Sequence, residues 1–252
     1  MSFSPPCVLA FAASDPSGGA GVQADLLTLS ALGCHALSVV TALTVQDTRG
    51  VYDVLPIPAR WVSEQARCVL EDVAAAAFKL GVLGSAENVQ AVAGAVSSHD
   101  GVPLVVDPVL ASGRGDVLAA EDTIEALRRL VFPRTTVLTP NSIETQRLGG
   151  VERILATGCR HVLVTGTHEP GAEVVNVLYS AQGVVRRDRW PRLPESYHGS
   201  GCTLASALAA ALARGIPAAE AAYQAQAYVW KALQEGFRPG RGQFIPNRSC
   251  SA

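Results

Sequence analysis

The chain has 252 residues, of which 48% are hydrophobic and 17% charged, with a formal net charge of -2. That composition supplies a large apolar core and excludes a disordered chain, and the small charge gives no electrostatic reason to expect nucleic acid or an anionic membrane as partner. No apolar run reaches the roughly 20 residues that span a bilayer and MSFSPPC does not read as a secretory signal, so one cytoplasmic domain, residues 1–252, acting on small molecules is expected.

In chain order, residues 8–13 read as a buried strand, 21–32 as a helix and 36–43 as a second strand. A helix at 61–73, a strand at 77–80, a helix at 88–96 and a strand at 103–106 repeat the alternation. A helix at 120–130, a strand at 135–138, a short helix after Asn141 and a strand at 161–164 continue it. Alternating βα units predict an α/β fold with a parallel sheet. Residues 174–179 and 184–189 read as a hairpin added to that sheet, 202–212 and 218–233 as Ala-rich helices, and 236–252 as a loosely held tail.

Ligands of open parallel sheets bind outside the carboxyl ends of the strands. The segments that follow the predicted strands are SDPSGGAG, QDTRG, GVLGS, DPVLASGRGD, TPNSIE and TGTH, all polar or glycine-rich. There is no Walker motif GxxxxGK[S/T], no GxGxxG after the first strand, no HExxH and no GxSxG, so a phosphate site would have to be built in another way. The six cysteines form no CxxC pair and suggest neither a disulfide framework nor a zinc site.

HGSGC (198–202) opens directly into an apolar helix, which would leave the N–H groups of Ser200, Gly201 and Cys202 at a positive helix terminus, an anion site. Gly199 and Gly201 keep side chains out of the approach. The dipole is expected to lower the Cys202 pKa and make its thiolate a base for an alcohol proton; a buried structural cysteine is the alternative. Asn141 and Glu144 share one helical turn and suit either a hydrated Mg²⁺ beside phosphates or a helix cap. Asp107 ends an apolar strand and needs a partner there. Asp25 faces either a cleft or solvent, and Gln46 offers a donor and an acceptor to a ring edge.

Five motifs in order resemble the hydroxymethylpyrimidine and phosphomethylpyrimidine kinases of thiamine biosynthesis, within the ribokinase-like superfamily. They are SDPSGGAGVQADLLTLSALGCHALSVVTALTVQDTRGV (14–51), KLGVLGS (79–85), VVDPVLASGRGD (105–116), TPNSIE (139–144) and HGSGCTL (198–204). The resemblance spans nearly the whole chain. It implies a three-layer α/β/α fold with a mostly parallel central sheet, and transfer of the ATP γ-phosphoryl group to 4-amino-5-hydroxymethyl-2-methylpyrimidine and then to its monophosphate.

By that resemblance Gln46 would bond the aminopyrimidine, while Ala20, Gly21, Asp25 and Val109 would line its pocket. Asp107, Asn141 and Glu144 would organise Mg²⁺ and ATP, with Asp107 and Glu144 at the metal and Thr165 and Gly166 on the nucleotide side. Gly199, Ser200 and Gly201 would form the anion hole, with Cys202 where sugar kinases of the superfamily carry an aspartate base. A lid over residues 111–116 is expected, and a homodimer is implied by the family alone. The chain departs from the pattern at Thr165, where relatives usually carry lysine, and around 149–151, which is shortened by much of a helix. A pyridoxal kinase is the nearest alternative activity, and a pyrimidine sensor with weak ATP use is another.

Overall fold

The computed structural model describes residues 4–111 and 118–250. The chain runs β1 (Cys7–Ser14), α1 (Gly21–Ala31), β2 (His35–Asp47), β3 (Gly50–Pro56), α2 (Ala59–Asp72), β4 (Ala77–Leu80), α3 (Ala86–Ser97) and β5 (Leu104–Val106). It continues with α4 (Glu121–Ala126), β6 (Val137–Leu138), α5 (Ser142–Arg147), α6 (Val151–Leu155), β7 (Val162–Val164), β8 (Glu173–Ser180), β9 (Gly183–Pro191), α7 (Ser200–Ala213) and α8 (Ala218–Gln234). The expected lid, apart from Ala111, lies outside the described residues.

The nine strands form one sheet in the order β3-β2-β1-β4-β5-β6-β7-β8-β9. The six from β2 to β7 pair in parallel, and β3, β8 and β9 add antiparallel edges. Period-two alternation divides the core. Phe78 and Leu80 of β4 face a layer that includes Val62 and Ala66 of α2 and Val89 and Val92 of α3. Ala77 faces the other side, with Leu29 of α1, Leu204 and Leu208 of α7 and Ala225 of α8. Alanines along α7 and α8 let the two backbones approach each other and the sheet. No helix among the described residues is long and apolar enough to cross a membrane.

Two expectations need correction. β3 was not anticipated: it is an edge strand whose Tyr52 and Leu55 stay exposed, so it lacks the buried run that marks the inner strands. The tail is not loosely held. Gly242 and Gln243 donate backbone N–H groups to Thr48, Phe244 pairs with Ser196 and His198, and Asn247 donates to Ala232. Ile245, Arg248 and Cys250 are buried. A Gly/Pro/Arg composition reads as disorder only while the partners of its backbone groups are unknown.

Candidate active site

The loop after β1 is organised by one carboxylate. Asp15 accepts from Ser17 N at 2.8 Å, Ala20 N at 2.7 Å and His198 Nε2 at 2.8 Å. Burial pushes the Asp15 carboxyl up, but the bonds from His198, Ser17, Ala20 and Gln46 outweigh it and hold the group well below the usual range. His198 packs against the loop so closely that a Cβ on Gly19 would overlap its Cδ2. Gly21, at φ +60°, starts α1 where a Cβ would strike the Ala13 carbonyl, so only glycine serves there.

Asp15 also fixes Gln46 at the end of β2. Gln46 Nε2 lies 3.3 Å from His198 Nε2, which already donates to Asp15. A carboxylate only accepts, so the amide nitrogen is the end of Gln46 that belongs beside Asp15. Gln46 Oε1 has no protein partner among the described residues, and the residue is half-buried. A carbonyl acceptor is thereby presented free for a ligand.

The second half of the site is the first turn of α7. Gly199 caps it in the left-handed region at φ +83°, and Thr203 N bonds back to Gly199 O. The N–H groups of Ser200, Gly201 and Cys202 are therefore left without intrahelical acceptors. A Cβ on Gly199 would collide with Gly19 O, and one on Gly201 would stand 3.3 Å from Asp107 Oδ2. The two loops and the end of β5 thus meet at backbone contact distance.

Below this turn lies a charged cluster that motif reading did not assign. Lys79 of β4 points toward the α1/α7 layer and pairs with Asp25 at 2.8 Å, both side chains having no solvent exposure. Ser206 Oγ donates to Asp25 at 2.8 Å. Burial works against the Lys79 charge, but Asp25, Cys202 and Asp107 overcome it and raise its pKa. Asp25, expected to line the pyrimidine pocket, is instead wholly buried as the counter-ion of Lys79; a buried ammonium requires a carboxylate. The available signal was the single lysine in the apolar run AAAAFKLG.

The expected lowering of the Cys202 pKa is also corrected. Burial pushes the thiol up to about 11; Lys79 pulls it down, Asp107 and Asp25 push it up again, and the Gly21 N–H pulls it down. Helix-dipole stabilisation falls short of the desolvation of a thiolate in this half-buried cleft.

Asp107 is pushed up to about 7, first by burial, against Lys79, and further by Glu144 and Asp25. Its side chain takes no hydrogen bond among the described residues. Because its folded value exceeds the ordinary 3.8, the folded protein holds this proton more tightly, and stability falls as pH rises from 3.8 to about 7. Replacing Asp107 with asparagine should therefore raise the melting temperature by several degrees at pH 8 and by little at pH 5. Equal shifts at both pH values in calorimetry would contradict the assignment.

On the far side of β5, Asn141 and Glu144 form a capping box: Glu144 N donates to Asn141 Oδ1 at 2.8 Å and Asn141 N to Glu144 Oε2 at 3.0 Å. Glu144 Oε1 accepts from Leu110 N at 2.9 Å. Both carboxylate oxygens are thus engaged by backbone while burial raises the group's pKa. Thr165 bridges to Asn141 at the end of β7. Gly166 is buried beneath β8, where a Cβ would strike Val175 O, so its glycine is required by packing. Val109, at φ 35°, is the one non-glycine residue with positive φ among those described, a strained conformation for a β-branched side chain between Asp107 and Leu110. α5 and α6 are both short and are joined through Gly149 and Gly150.

A carboxylate-ordered loop, a helix terminus with free N–H groups over a buried lysine and a strained turn after β5 all meet at the carboxyl edge of a parallel sheet. The phosphomethylpyrimidine kinase family model matches residues 15–247, which includes every one of these features. The chain belongs to this family. A hydroxymethylpyrimidine/phosphomethylpyrimidine kinase of Streptomyces coelicolor is 41% identical over 94% of this chain and 92% of its own length. That of Mycobacterium bovis is 40% identical over 94% and 92%. Among solved structures, a Staphylococcus aureus pyridoxal kinase in complex with ADP aligns with TM-score 0.88 at 28% identity, over 98% of this chain and 94% of that one. A Clostridium difficile phosphomethylpyrimidine kinase aligns with TM-score 0.78 at 33% identity, over 90% and 99%. The fold is ribokinase-like and the enzyme is a kinase.

Proposed function

We propose that this kinase transfers the γ-phosphoryl group of ATP to the hydroxymethyl group of 4-amino-5-hydroxymethyl-2-methylpyrimidine, and then a second group to the monophosphate, as a step in thiamine biosynthesis. The observation that carries the choice of ring is the free Gln46 Oε1. An exocyclic amino group donates to that carbonyl, whereas pyridoxal brings a phenolic oxygen that, once ionised, meets it acceptor to acceptor. In this reading Ala20, Gly21 and Val109 serve as walls of the ring pocket, and Asp25 acts indirectly through Lys79.

The phosphoryl group is received at the N–H groups of Ser200, Gly201 and Cys202, with Lys79 supplying buried positive charge beneath. The hydroxyl oxygen attacks the γ-phosphorus, the bond to the ADP oxygen breaks, and the hydroxyl proton passes to Cys202 Sγ in its thiolate form. Asp107, whose carboxylate makes no hydrogen bond among the described residues, suits a cation, and Glu144 keeps lone pairs for the waters of a hydrated Mg²⁺, so the residues present fit that ion. Bound Mg²⁺ would neutralise charge on the transferring phosphates. Asn141 and Thr165 belong to the same nucleotide side.

An ADP-release assay with Mg-ATP tests the reading by offering the hydroxymethylpyrimidine, its monophosphate and pyridoxal in parallel. Turnover of both pyrimidines is expected, with kcat/KM at least about a hundredfold above that for pyridoxal, since a site built to bond one donor rejects a ring that lacks it. Preference for pyridoxal would overturn the reading, and pyrimidine binding without turnover would make the protein a sensor.

A further inference from the structure

The C-terminal segment delivers a buried guanidinium to the seam between the two halves of the site. Arg248 is 5% exposed. Its Nη2 donates to Gly19 O, its Nη1 to Gly18 O at 3.4 Å and its Nε to Thr203 Oγ1 at 3.0 Å. Thr203 itself donates to Gly199 O at 2.8 Å. The backbone of Arg248 is held from α8 by the Tyr228 hydroxyl, which donates to its carbonyl at 2.7 Å.

Three features separate this residue from an ordinary buried arginine. It forms no ion pair with a carboxylate among the described residues, although a desolvated cation normally needs one. Its partners belong to the two segments that must be held in register: the loop carrying Ala20 and Gly21, and the first turn of α7. A Cβ on Gly199 would also lie 2.9 Å from Nη2, so the guanidinium sits directly behind the glycine that opens the anion site. The planar fork reaches acceptors on both segments at once, which a lysine ammonium does not reproduce.

We propose that Arg248 is a positioning residue for phosphoryl transfer, fixing the ring-binding loop against the anion-binding turn, so that docking of the C-terminal tail is a condition of turnover. This rests on the kinase reading above. Each half of the site is complete without Arg248, and what it supplies is their alignment. Misplacement by about 1 Å between reacting groups lowers rates by up to 10²-fold.

The test is the full-length Arg248→Ala protein, assayed by ADP release and by separate calorimetric titrations with ADP and with the hydroxymethylpyrimidine. The expected result is kcat lower by roughly ten- to a hundredfold, with each ligand alone bound within about threefold of wild type. Arg248→Lys should fall between, and it decides the matter if the alanine protein does not fold. Wild-type kcat in a folded variant overturns the proposal. So does a loss that matches the unfolded fraction at the assay temperature, or one accompanied by equal loss of binding of either ligand. An inactive wild-type protein would instead defeat the kinase reading itself.

Discussion

Replacing Cys202 with alanine is expected to lower kcat by on the order of 10²-fold or more while KM for the pyrimidine stays within a few fold. The reason is geometric and electrostatic together. Cys202 is the third residue of α7, its N–H is one of those left without an intrahelical acceptor, and the Gly21 N–H acts on its thiol. Because burial holds the thiol at about 11, the thiolate is a minor species at neutral pH. If that thiolate takes the proton, kcat/KM rises about tenfold per pH unit between 7 and 9, and the alanine variant loses the slope. A plateau beginning near 7 would transfer the role of base to Asp107, whose carboxyl lies at about 7. Retention of near-wild-type kcat in the alanine variant would remove Cys202 from the chemistry altogether.

The inner strands were legible because each is a short, nearly unbroken apolar run, and the glycine-rich loops marked which edge of the sheet to examine. HGSGC was legible as a helix start with free N–H groups because the pattern is local: the glycines and the first turn of α7 are adjacent in sequence. The helix-cap alternative for Asn141 and Glu144 was legible for the same reason, as neighbours on one turn. What sequence could not show is pairing across long separations. Asp25 meets Lys79 across 54 positions and Ser206 across 181, and His198 meets Asp15 across 183. A carboxylate on a helix reads as solvated or cleft-facing until its cation is found. The direction of the Cys202 shift failed for a related reason: the dipole is a property of the helix, but desolvation is set by everything folded around it. Arg248 stood in a segment whose composition suggested disorder, and its burial depends on Gly18, Gly19 and Thr203 being brought to it.

Lys79 is where stability and function are expected to part most clearly. Lys79→Met removes the cation and leaves Asp25 buried without its counter-ion, keeping among the described residues the hydrogen bond from Ser206, a change that typically destabilises by about 3–5 kcal/mol. For a chain of this size that corresponds to a fall in melting temperature on the order of ten degrees. The double variant Lys79→Met/Asp25→Leu removes the stranded charge as well, so thermal melting should recover a large part of the loss. Activity should not recover with it. Both variants take away the buried positive charge beneath Ser200, Gly201 and Cys202, and with it the attraction that offsets Asp107 beside the phosphates and pulls the Cys202 thiol down. A double variant that regains both its melting temperature and its kcat would show that the lysine serves only to neutralise Asp25. One that regains stability and remains slow places the ammonium in the electrostatics of transfer, the expected outcome if the first turn of α7 receives the phosphoryl group.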